Sequence, residues 1–384
     1  MKDLIIIHDK LINYGGAEVV LASLVKYRQP KAIICACVSD RETWEKLYGV
    51  QILTPILTRF IKKPFAYKIL YPYIISVCYL SRLAFTYDDA FYIVYSSSSG
   101  KYFRLPKYTN ALLYVNYHAK GIRYAENYIN NSRVPLVVHR AIQYLRSIFL
   151  HLEDKMVFKY NFIRAISIQA LSSLPINIRE IKSKNIGILH CPTSIMSASS
   201  IAPITSNVPY AHFYVVISRL TPEKNLKPLL DFLYDNSSIN LIIIGDGPLF
   251  EAFVRQYPAK FLFTGFVDTS TKNNILSMSL GLIQPTPQEW SLVSIEANIL
   301  GVPAIVAGSS AMEEINLMIS GCTDIPNIIF TNFSELDSAF KKIPNSRSYI
   351  SNNIERIRNI FSDELFHKNL SKIELLILNS NVAN

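Results

Sequence analysis

The chain has 384 residues, of which 50% are hydrophobic and 12% aromatic, so it is long enough for two domains and too apolar for global disorder. Its net charge of +10 is uneven, because residues 1–192 hold 26 Lys and Arg against 12 Asp and Glu, while the remainder has a balance of −4. The five scattered cysteines form no disulfide framework, and no apolar run reaches the roughly 18 residues of a membrane span. We therefore expect a cytoplasmic protein without membrane-spanning helices.

The first half alternates short apolar runs with longer amphipathic stretches, which predicts the βαβ units of a parallel α/β sheet. The N-terminal run is too short for a signal peptide and is interpreted as the first strand. Long connections are expected at 48–89 and 121–160. The predicted strands are Leu4–His8, Ala32–Val38, Ala90–Tyr95, Ala111–Tyr117 and a strand that closes at Ala165–Ser167.

Three polar segments follow predicted strands of this half. Gly15 and Gly16, in the sequence YGGAE, open the first helix, where backbone N–H groups can face a phosphate. The serine run 96–99 follows the third strand, and acceptor contact and helix capping both stay open for it. His118 ends the fourth strand, where a neutral imidazole can hydrogen-bond a sugar hydroxyl. A purely structural histidine is the alternative.

A linker is predicted at 191–209, a segment rich in Ser, Pro and Thr, and the α/β pattern restarts after it. The next strand ends in VISRLTPEKN, which places Arg219 and Lys224 near the start of a helix. Arginine can grip diphosphate oxygens with two N–H groups and lysine adds a point charge, so the pair can form a diphosphate clamp. A solvated surface pair is the alternative.

Two glycine turns come next along the chain. The sequence IIIGDGPL, which contains Gly247, runs from a buried strand into a helix, and its glycines allow a close backbone approach. It lacks the third glycine of a dinucleotide-binding fingerprint. The sequence FTGFVD then places Phe266 in a loop after another strand.

An acidic segment, PTPQEWSLVSIEANILGVPAIV, begins at Pro285 and enters a helix that carries Glu296. A carboxylate beside the first turn of a helix, with its unpaired N–H groups, can bind a polyol and a phosphate together. Counting eight residues back from Glu296 gives Gln288, and the nearest acid, Glu289, lies seven before it. Two registers therefore stay open, and simple helix capping by both acids is the structural alternative.

Together these segments resemble the motifs of the GT4 family of retaining glycosyltransferases: V-G-R-L-x-x-x-K-G, I-x-G-x-G-P, F-x-G and P-S-x-x-E-G-F-G-L-x-x-x-E-A. The departures are Ser218 and Asn225 for glycines, the shortened acidic spacing, and Trp290-Ser291 for G-F-G. The segment YVNYH at 114–118 with Arg123 also resembles the Y-x-H-x-P-x-R-Y of relatives that build surface polysaccharides, without the proline and with one extra residue.

The resemblance implies an α/β protein of GT-B fold, with two Rossmann-like doubly wound domains facing across a cleft. It places the acceptor-side domain at 1–195, the nucleotide-sugar domain at 205–360, and a C-terminal helix at 361–384 that crosses back to the first. The implied catalytic residues are His118, Arg219, Lys224 and Glu289. The implied donor-binding residues are Gly15, Gly16, Gly247, Phe266, Gln288, Leu292, Val293 and Glu296. The implied acceptor-binding residues are Ser97, Ser98 and Arg123.

The resemblance also implies transfer of a hexose, with retention, from a nucleoside diphosphate sugar to a glycan or polyprenyl-diphosphate-linked acceptor in surface polysaccharide or lipopolysaccharide synthesis. Neither a cofactor nor a metal ion is expected, because Arg219 and Lys224 take the place of a metal. The basic, aromatic region 60–85 leaves peripheral attachment to an anionic inner membrane face open beside simple core packing. Nucleic acid is not expected as a partner. A sugar-nucleotide epimerase of this fold and a degenerate, non-catalytic binding protein are the alternatives.

Overall fold

The structure is a computed structural model that describes most of the chain, with the largest gaps at 118–147 and 194–208. The described residues are 2–63, 66–67, 70–106, 110–117, 148, 150–181, 184–193, 209–236, 239–258, 260–308, 311–323 and 325–380. Contacts divide the chain into two compact units. The first comprises Met1–Ser194 with Asp363–Asn384, and the second comprises Ile195–Ser362.

The first unit is built on a seven-stranded sheet in which all pairings are parallel. The strand order is β3-β2-β1-β4-β5-β6-β7. This is a doubly wound sheet, because the order in which strands are added changes sides between β1 and β4 while all strands stay parallel. The central strands are buried on both faces, as continuous apolar runs require. The strands are β1 Leu4–His8, β2 Ala32–Cys35, β3 Ile52–Leu53, β4 Phe91–Tyr95, β5 Asn110–Val115, β6 Phe162–Ala165 and β7 Asn185–Ile188.

The helices of the first unit include one from the far end of the chain. The elements are α1 Gly16–Tyr27, α2 Arg41–Tyr48, α3 Tyr71–Leu80, α4 Ile168–Ser172, α5 Ile176–Arg179, and the 3₁₀ turns Ile56–Thr58, Leu83–Tyr87 and Ser99–Tyr102. The distant helix is the last of the chain, Asp363–Ser380, named α12 below. It buries Phe366, which lies against Tyr114 of β5, and its Glu374 accepts a hydrogen bond from Tyr27 at 2.7 Å.

The second unit repeats the same plan with six strands. The strand order is β10-β9-β8-β11-β12-β13, which is again doubly wound. The order in which strands are added changes sides between β8 and β11. The strands are β8 Tyr214–Ile217, β9 Leu241–Ile244, β10 Phe261–Gly265, β11 Gly281–Gln284, β12 Ala304–Ala307 and β13 Ile328–Phe330. The helices are α6 Lys227–Asn236, α7 Phe250–Gln256, α8 Thr269–Met278, α9 Leu292–Ile299, α10 Met312–Ser320 and α11 Leu336–Ile360, with 3₁₀ turns at Pro222–Lys224 and Phe333–Glu335.

Strand predictions from the sequence agree closely with the structure where the strand is a buried apolar run. Leu4–His8 matches to the residue, and Ala90–Tyr95 differs by one. The run Ala32–Val38 is a strand only as far as Cys35, although Cys37 is also buried. The last helix begins at Asp363 rather than Phe361, because the chain turns there after the long helix α11. Most of the predicted linker lies outside the described residues.

Candidate donor and acceptor sites

The predicted donor residues cluster at the carboxyl ends of the second unit's strands. The loop with Arg219 and Lys224 follows β8, the glycine turn follows β9, Phe266 follows β10, and the acidic segment follows β11. Ligands of doubly wound sheets bind at this edge, beside the point where the strand order reverses. In this sheet that point lies between β8 and β11, so the cation motif and the acidic motif flank it.

The loop after β8 presents two cations. The side chain of Arg219 is exposed, and Lys224 ends the 3₁₀ turn. Asn225, which follows it, has a φ of 42° and a ψ of 45°, in the left-handed region. Asparagine tolerates that region better than most residues. Asn225 therefore keeps the backbone turn that the glycine of the resembled motif would allow.

The glycine turn after β9 packs against the backbone of the loop that carries Arg219. Gly245 and Gly247 have φ values of 139° and 156°. A Cβ on Gly245 would lie 1.9 Å from the carbonyl oxygen of Ser218, and one on Gly247 would lie 2.4 Å from that of Leu220. The Leu220 N–H donates to the Asp246 carbonyl at 2.9 Å. The glycines therefore have a packing role of their own, and donor contact by Gly247 stays a prediction.

The two motifs meet in a side-chain contact. Lys224 Nζ donates to Gln288 Oε1 at 3.2 Å, across 64 positions of sequence. The Gln288 amide nitrogen donates to the carbonyl and hydroxyl oxygens of Thr286 at 3.2 and 3.0 Å, which fixes the orientation of the amide. Gln288 thus lies beside the clamp lysine, whereas Glu289 is 8% exposed in the adjacent position. This contact agrees with both alignments of the segment, the one with Gln288 and the one with Glu289 at the first acidic position.

A hydroxyl network holds the start of α9. Ser291 is the N-cap residue, and its Oγ accepts from the Ser294 N–H at 3.2 Å. Both serine hydroxyls donate to Gln284 Oε1, at 2.6 and 2.7 Å. Leu292 and Val293 are the first two helical residues. Because N–H groups of a first helical turn have no intrahelical partner, they are suited to an anionic ligand.

Glu296 is the fifth residue of α9, one position beyond the first turn that the sequence suggested. Its Oε2 accepts from Lys272 Nζ of α8 at 2.7 Å, and both side chains are largely buried. Sequence analysis did not single out Lys272, because no motif surrounds it. The pair gives the predicted donor-binding carboxylate a fixed position next to the loop after β10.

Phe266 is the most exposed aromatic residue of this edge, with 84% of its surface accessible. It follows Gly265, whose φ of 69° turns the chain out of the edge strand. A flat apolar ring held on a turn offers a surface on which a planar base can stack.

The glycine loop of the first unit lies over a buried ion pair. A Cβ on Gly15 would lie 3.4 Å from Glu18 Oε2, and Glu18 Oε1 is 3.8 Å from Nε2 of His8. His8 Nδ1 donates to the Tyr95 carbonyl at 3.1 Å. Burial alone lowers the pKa of His8, but the Glu18 and Asp9 carboxylates and the hydrogen bond to the Tyr95 carbonyl together raise that pKa above 6.5. Gly16 is the first residue of α1, and Glu18 lies in the first turn of the same helix.

The serine turn after β4 wraps around Asp9. The carboxylate accepts from the N–H groups of Ser97 at 2.9 Å, Ser98 at 3.1 Å and Gly100 at 2.8 Å, and from the Ser96 hydroxyl at 2.5 Å. Burial alone raises the pKa of Asp9, yet the charge of His8 and these hydrogen bonds hold it below 3.8. Sequence analysis missed Asp9, although its place after β1 is a signal for a site residue.

The hydroxyl groups of the two predicted acceptor-binding serines also have partners within the unit. Ser97 Oγ accepts from the Tyr117 N–H at 3.2 Å, and Ser98 Oγ lies 3.0 Å from the Tyr67 hydroxyl. This turn joins the ends of β1 and β4, the reversal point of the first sheet. His118 and Arg123 lie outside the described residues.

The family comparison concerns the second unit. Residues 206–318 match the family model for glycosyl transferases group 1. This match lies entirely within the second unit. The matched range contains the loops after β8, β9, β10 and β11, and therefore all the predicted donor residues of this unit. No curated protein sequence matches the chain.

Solved structures resemble the chain over nearly its whole length. Sucrose-phosphate synthase from Thermosynechococcus elongatus has a TM-score of 0.70 at 13% identity, covering 99% of this chain and 100% of its own. Anabaena HepE in complex with UDP and glucose gives 0.65 at 15%, covering 97% and 99%. The lipopolysaccharide outer core galactosyltransferase WaaB, in its apo form, gives 0.56 at 15%, covering 97% and 98%.

These likenesses confirm the predicted GT-B fold of two Rossmann-like domains. Together with the match to the group 1 glycosyltransferase model, this fold supports a transferase enzyme. Within the described ranges, no three His, Cys, Asp or Glu side chains gather to hold a metal ion. Among the same residues, no helix is both long and apolar enough to cross a membrane.

Proposed function

We propose that the chain is a retaining glycosyltransferase of the GT4 type. It moves a hexose from a nucleoside diphosphate sugar to a hydroxyl of a glycan or polyprenyl-diphosphate-linked acceptor, in the synthesis of a surface polysaccharide such as lipopolysaccharide. The contact between Lys224 and Gln288 carries the proposal, because it joins the cation motif to the acidic motif at the reversal point of the second sheet.

The clamp supplies the electrostatic part of catalysis. When the bond from the sugar to the diphosphate breaks, negative charge builds on the departing diphosphate. Arg219 grips its oxygens, and Lys224, which Gln288 already holds in place, adds a point charge. The two cations lie in a half of the chain whose net charge is negative, so the attraction for the diphosphate is local to this loop. Metal independence is part of the proposal.

The remaining donor contacts follow from the positions of the loops. Phe266 stacks on the base, Glu296 accepts from the ribose hydroxyls, and the N–H groups of Leu292 and Val293 face the phosphates. Glu289 or Gln288 binds the sugar. A carboxylate fixed by Lys272 suits the ribose, because its geometry is set before the nucleotide arrives.

The acceptor is assigned to the first unit, whose residues 1–192 carry the basic excess of the chain. The acceptor-binding Ser97 and Ser98 follow β4 at the reversal point of its sheet, and the donor-binding Gly15 and Gly16 follow β1. In this proposal, His118 and Arg123 complete the catalytic and acceptor sites. A diphosphate-linked acceptor suits a positive surface, since the acceptor itself is a polyanion. Nucleic acid is not a partner in this proposal.

The first test is a thermal-shift panel of the purified protein with UDP, GDP, ADP, TDP and CMP and the matching sugar nucleotides, in the presence of EDTA. We expect one nucleotide family to raise the melting temperature, as a ligand that binds only the folded state does. Arg219→Ala and Lys224→Ala should abolish the rise. Lys227→Ala is the matched control, because Lys227 lies three residues beyond Lys224 and pairs with Asp231 on the exposed face of α6.

Turnover separates the proposal from its alternatives. A transferase joins the hexose to the acceptor, and NMR of the product shows whether the anomeric configuration of the donor is kept. An epimerase would release the diphosphate and a rearranged sugar without any acceptor. A degenerate binding protein would give the thermal shift without turnover. Normal rates in both Arg219→Ala and Lys224→Ala would refute the clamp.

The acidic register is tested by Glu289→Gln and Gln288→Ala, measured side by side. The residue that binds the sugar should lower the rate of transfer when it is changed, while the other should leave it near the wild-type value. If neither substitution changes the rate, the proposed alignment of this segment with the GT4 motif is wrong.

A further inference from the structure

An exposed apolar surface with a rim of cations lies on the first unit. We call it the basic apolar patch. Its apolar members are Ile56, Leu57, Phe60, Tyr73, Tyr79, Leu80 and Phe85, and its cations are Arg59, Lys62, Lys63, Arg82 and Arg104. Ile56 is 74% exposed, Phe60 64% and Leu80 75%. Single exposed apolar residues are normal, but a contiguous group of this size marks an interaction surface.

Direct contacts show that the patch is continuous. The Tyr73 hydroxyl of α3 donates to the Leu57 carbonyl at 2.8 Å, and its ring lies 6.2 Å from that of Phe60. At the far end of α3, Arg104 lies 5.8 Å from the ring of Tyr79 and 6.0 Å from that of Phe85. The helix α3 therefore joins the two groups of side chains.

The exposed residues of the patch are not core residues that lack a covering element. The other face of α3 packs inward with Ile74, Ile75, Val77 and Cys78, which are buried. The helix therefore already has a core-facing stripe, and Tyr73, Tyr79 and Leu80 are additional apolar residues on its outer side. An outer face that is apolar and tyrosine-rich is typical of an element that lies in a membrane interface.

Charge decides which partner fits. The sequence contains no Asp or Glu between Glu45 and Asp88, so the cations of this segment have no acidic neighbours along the chain. A second copy of the chain would bring like charges together across a symmetric contact. Nucleic acid would match the cations but would leave Ile56, Leu57 and Leu80 without an apolar partner. An anionic bilayer provides negative headgroups and an apolar interior at the same time.

We propose that the basic apolar patch binds the surface of an anionic lipid bilayer, with Ile56, Phe60 and Leu80 entering the boundary between headgroups and acyl chains. This inference deepens the proposed function, and it rests on that function only in that a lipid-linked acceptor would lie at such a membrane surface. Binding to the surface requires no membrane-spanning helix. Binding is expected to weaken with salt, since the headgroup attraction is screened within about 10 Å at 0.1 M ionic strength.

The test is co-sedimentation of the full chain with vesicles of phosphatidylcholine alone and of phosphatidylcholine mixed with phosphatidylglycerol. We expect binding to the anionic vesicles only. Lys62→Glu with Lys63→Glu should weaken it at least tenfold, because each cation contributes about fivefold. Phe60→Ser with Leu80→Ser should also weaken it at least tenfold, and neither change touches the core.

Matched controls come from the opposite edge of the same sheet. Ile176 is exposed and Arg179 lies on the same short helix, α5, which precedes β7, whereas the patch adjoins β3. Ile176→Ser with Arg179→Glu removes an exposed apolar residue and reverses one charge, and it should leave vesicle binding unchanged.

The thermal shift with the nucleotide is measured on every variant, so that loss of the donor site and loss of membrane binding are separate results. The proposal is overturned if the wild type does not bind anionic vesicles. It is equally overturned if the patch variants bind as tightly as the wild type, or if sedimentation equilibrium shows that the patch joins two copies of the chain instead.

Discussion

The substitution Gly245→Ala tests whether the glycine turn supports the Arg219 loop. The new Cβ would lie 1.9 Å from the Ser218 carbonyl oxygen, which is backbone and can move only with the loop itself. The φ of 139° adds backbone strain of about 1–3 kcal/mol. Forcing the two segments apart adds about 1–3 kcal/mol, as overpacking does. We expect the free energy of unfolding to fall by about 2–6 kcal/mol.

Gly321→Ala is the matched control in the same unit. Gly321 also has a positive φ, 76°, but its added Cβ would meet no atom of the described residues within 4 Å. Only the strain of a left-handed residue remains, which is about 1–2 kcal/mol. Urea unfolding measures both variants, and the nucleotide thermal shift shows whether the Arg219 loop still binds. Equal stability of the two variants, with full nucleotide binding by Gly245→Ala, would refute the supporting role.

Three further predictions concern side chains that hold the two sites. Lys272→Met should weaken binding of the nucleoside diphosphate identified by the thermal-shift panel roughly tenfold, as loss of a charged hydrogen bond does, and calorimetry with its 2′-deoxy analogue should show a smaller loss if Glu296 binds the ribose. Asp9→Asn should destabilise the protein by about 2–4 kcal/mol at neutral pH. Because the folded pKa of Asp9 is lowered, its stabilisation should disappear as the pH falls below 3.8, and urea unfolding at both pH values measures this. Glu18→Gln should lower the pKa of His8, because fewer negative charges then oppose the effect of burial, and NMR titration measures this pKa. In the wild type, His8 stabilises the fold fully below pH 6.5, and this stabilisation is lost as the pH rises through the raised pKa of the folded state.

The sequence predicted the elements that carry a strong local signal. The strand Leu4–His8 consists of four apolar residues and a histidine, all five of them buried. The strands Ile52–Leu53 and Asn185–Ile188 were not predicted, because the first has two residues and the second is an edge strand with little buried surface. The helix Leu336–Ile360 was also missed. It is polar overall and contains Pro344, which normally argues against a helix interior.

The candidate sites divide in the same way. Arg219, Lys224 and Gln288 could be named because each lies in a short motif at the end of a strand. Their contact could be expected only from the rule that neighbouring strands end at one edge of the sheet. Lys272 could not be named, since its importance comes from Glu296, which is 24 residues away in sequence. Asp9 was missed although it follows a strand, because its partner Ser96 lies 87 residues away.

The first unit is complete only when its last helix, α12, has been synthesised at the end of the sequence. Phe366, Leu370 and Ile377 are buried in this helix, and Glu374 pairs with Arg28 of the N-terminal segment at 2.9 Å. A ribosome makes the whole second unit before it makes these residues, at about 5–20 residues per second. Synthesis of the second unit, residues 195–362, therefore takes about 8–34 s, and during that time the nascent first unit exposes the apolar surface that α12 will cover. A chaperone that binds apolar segments should therefore hold nascent chains longest when they end just before residue 363.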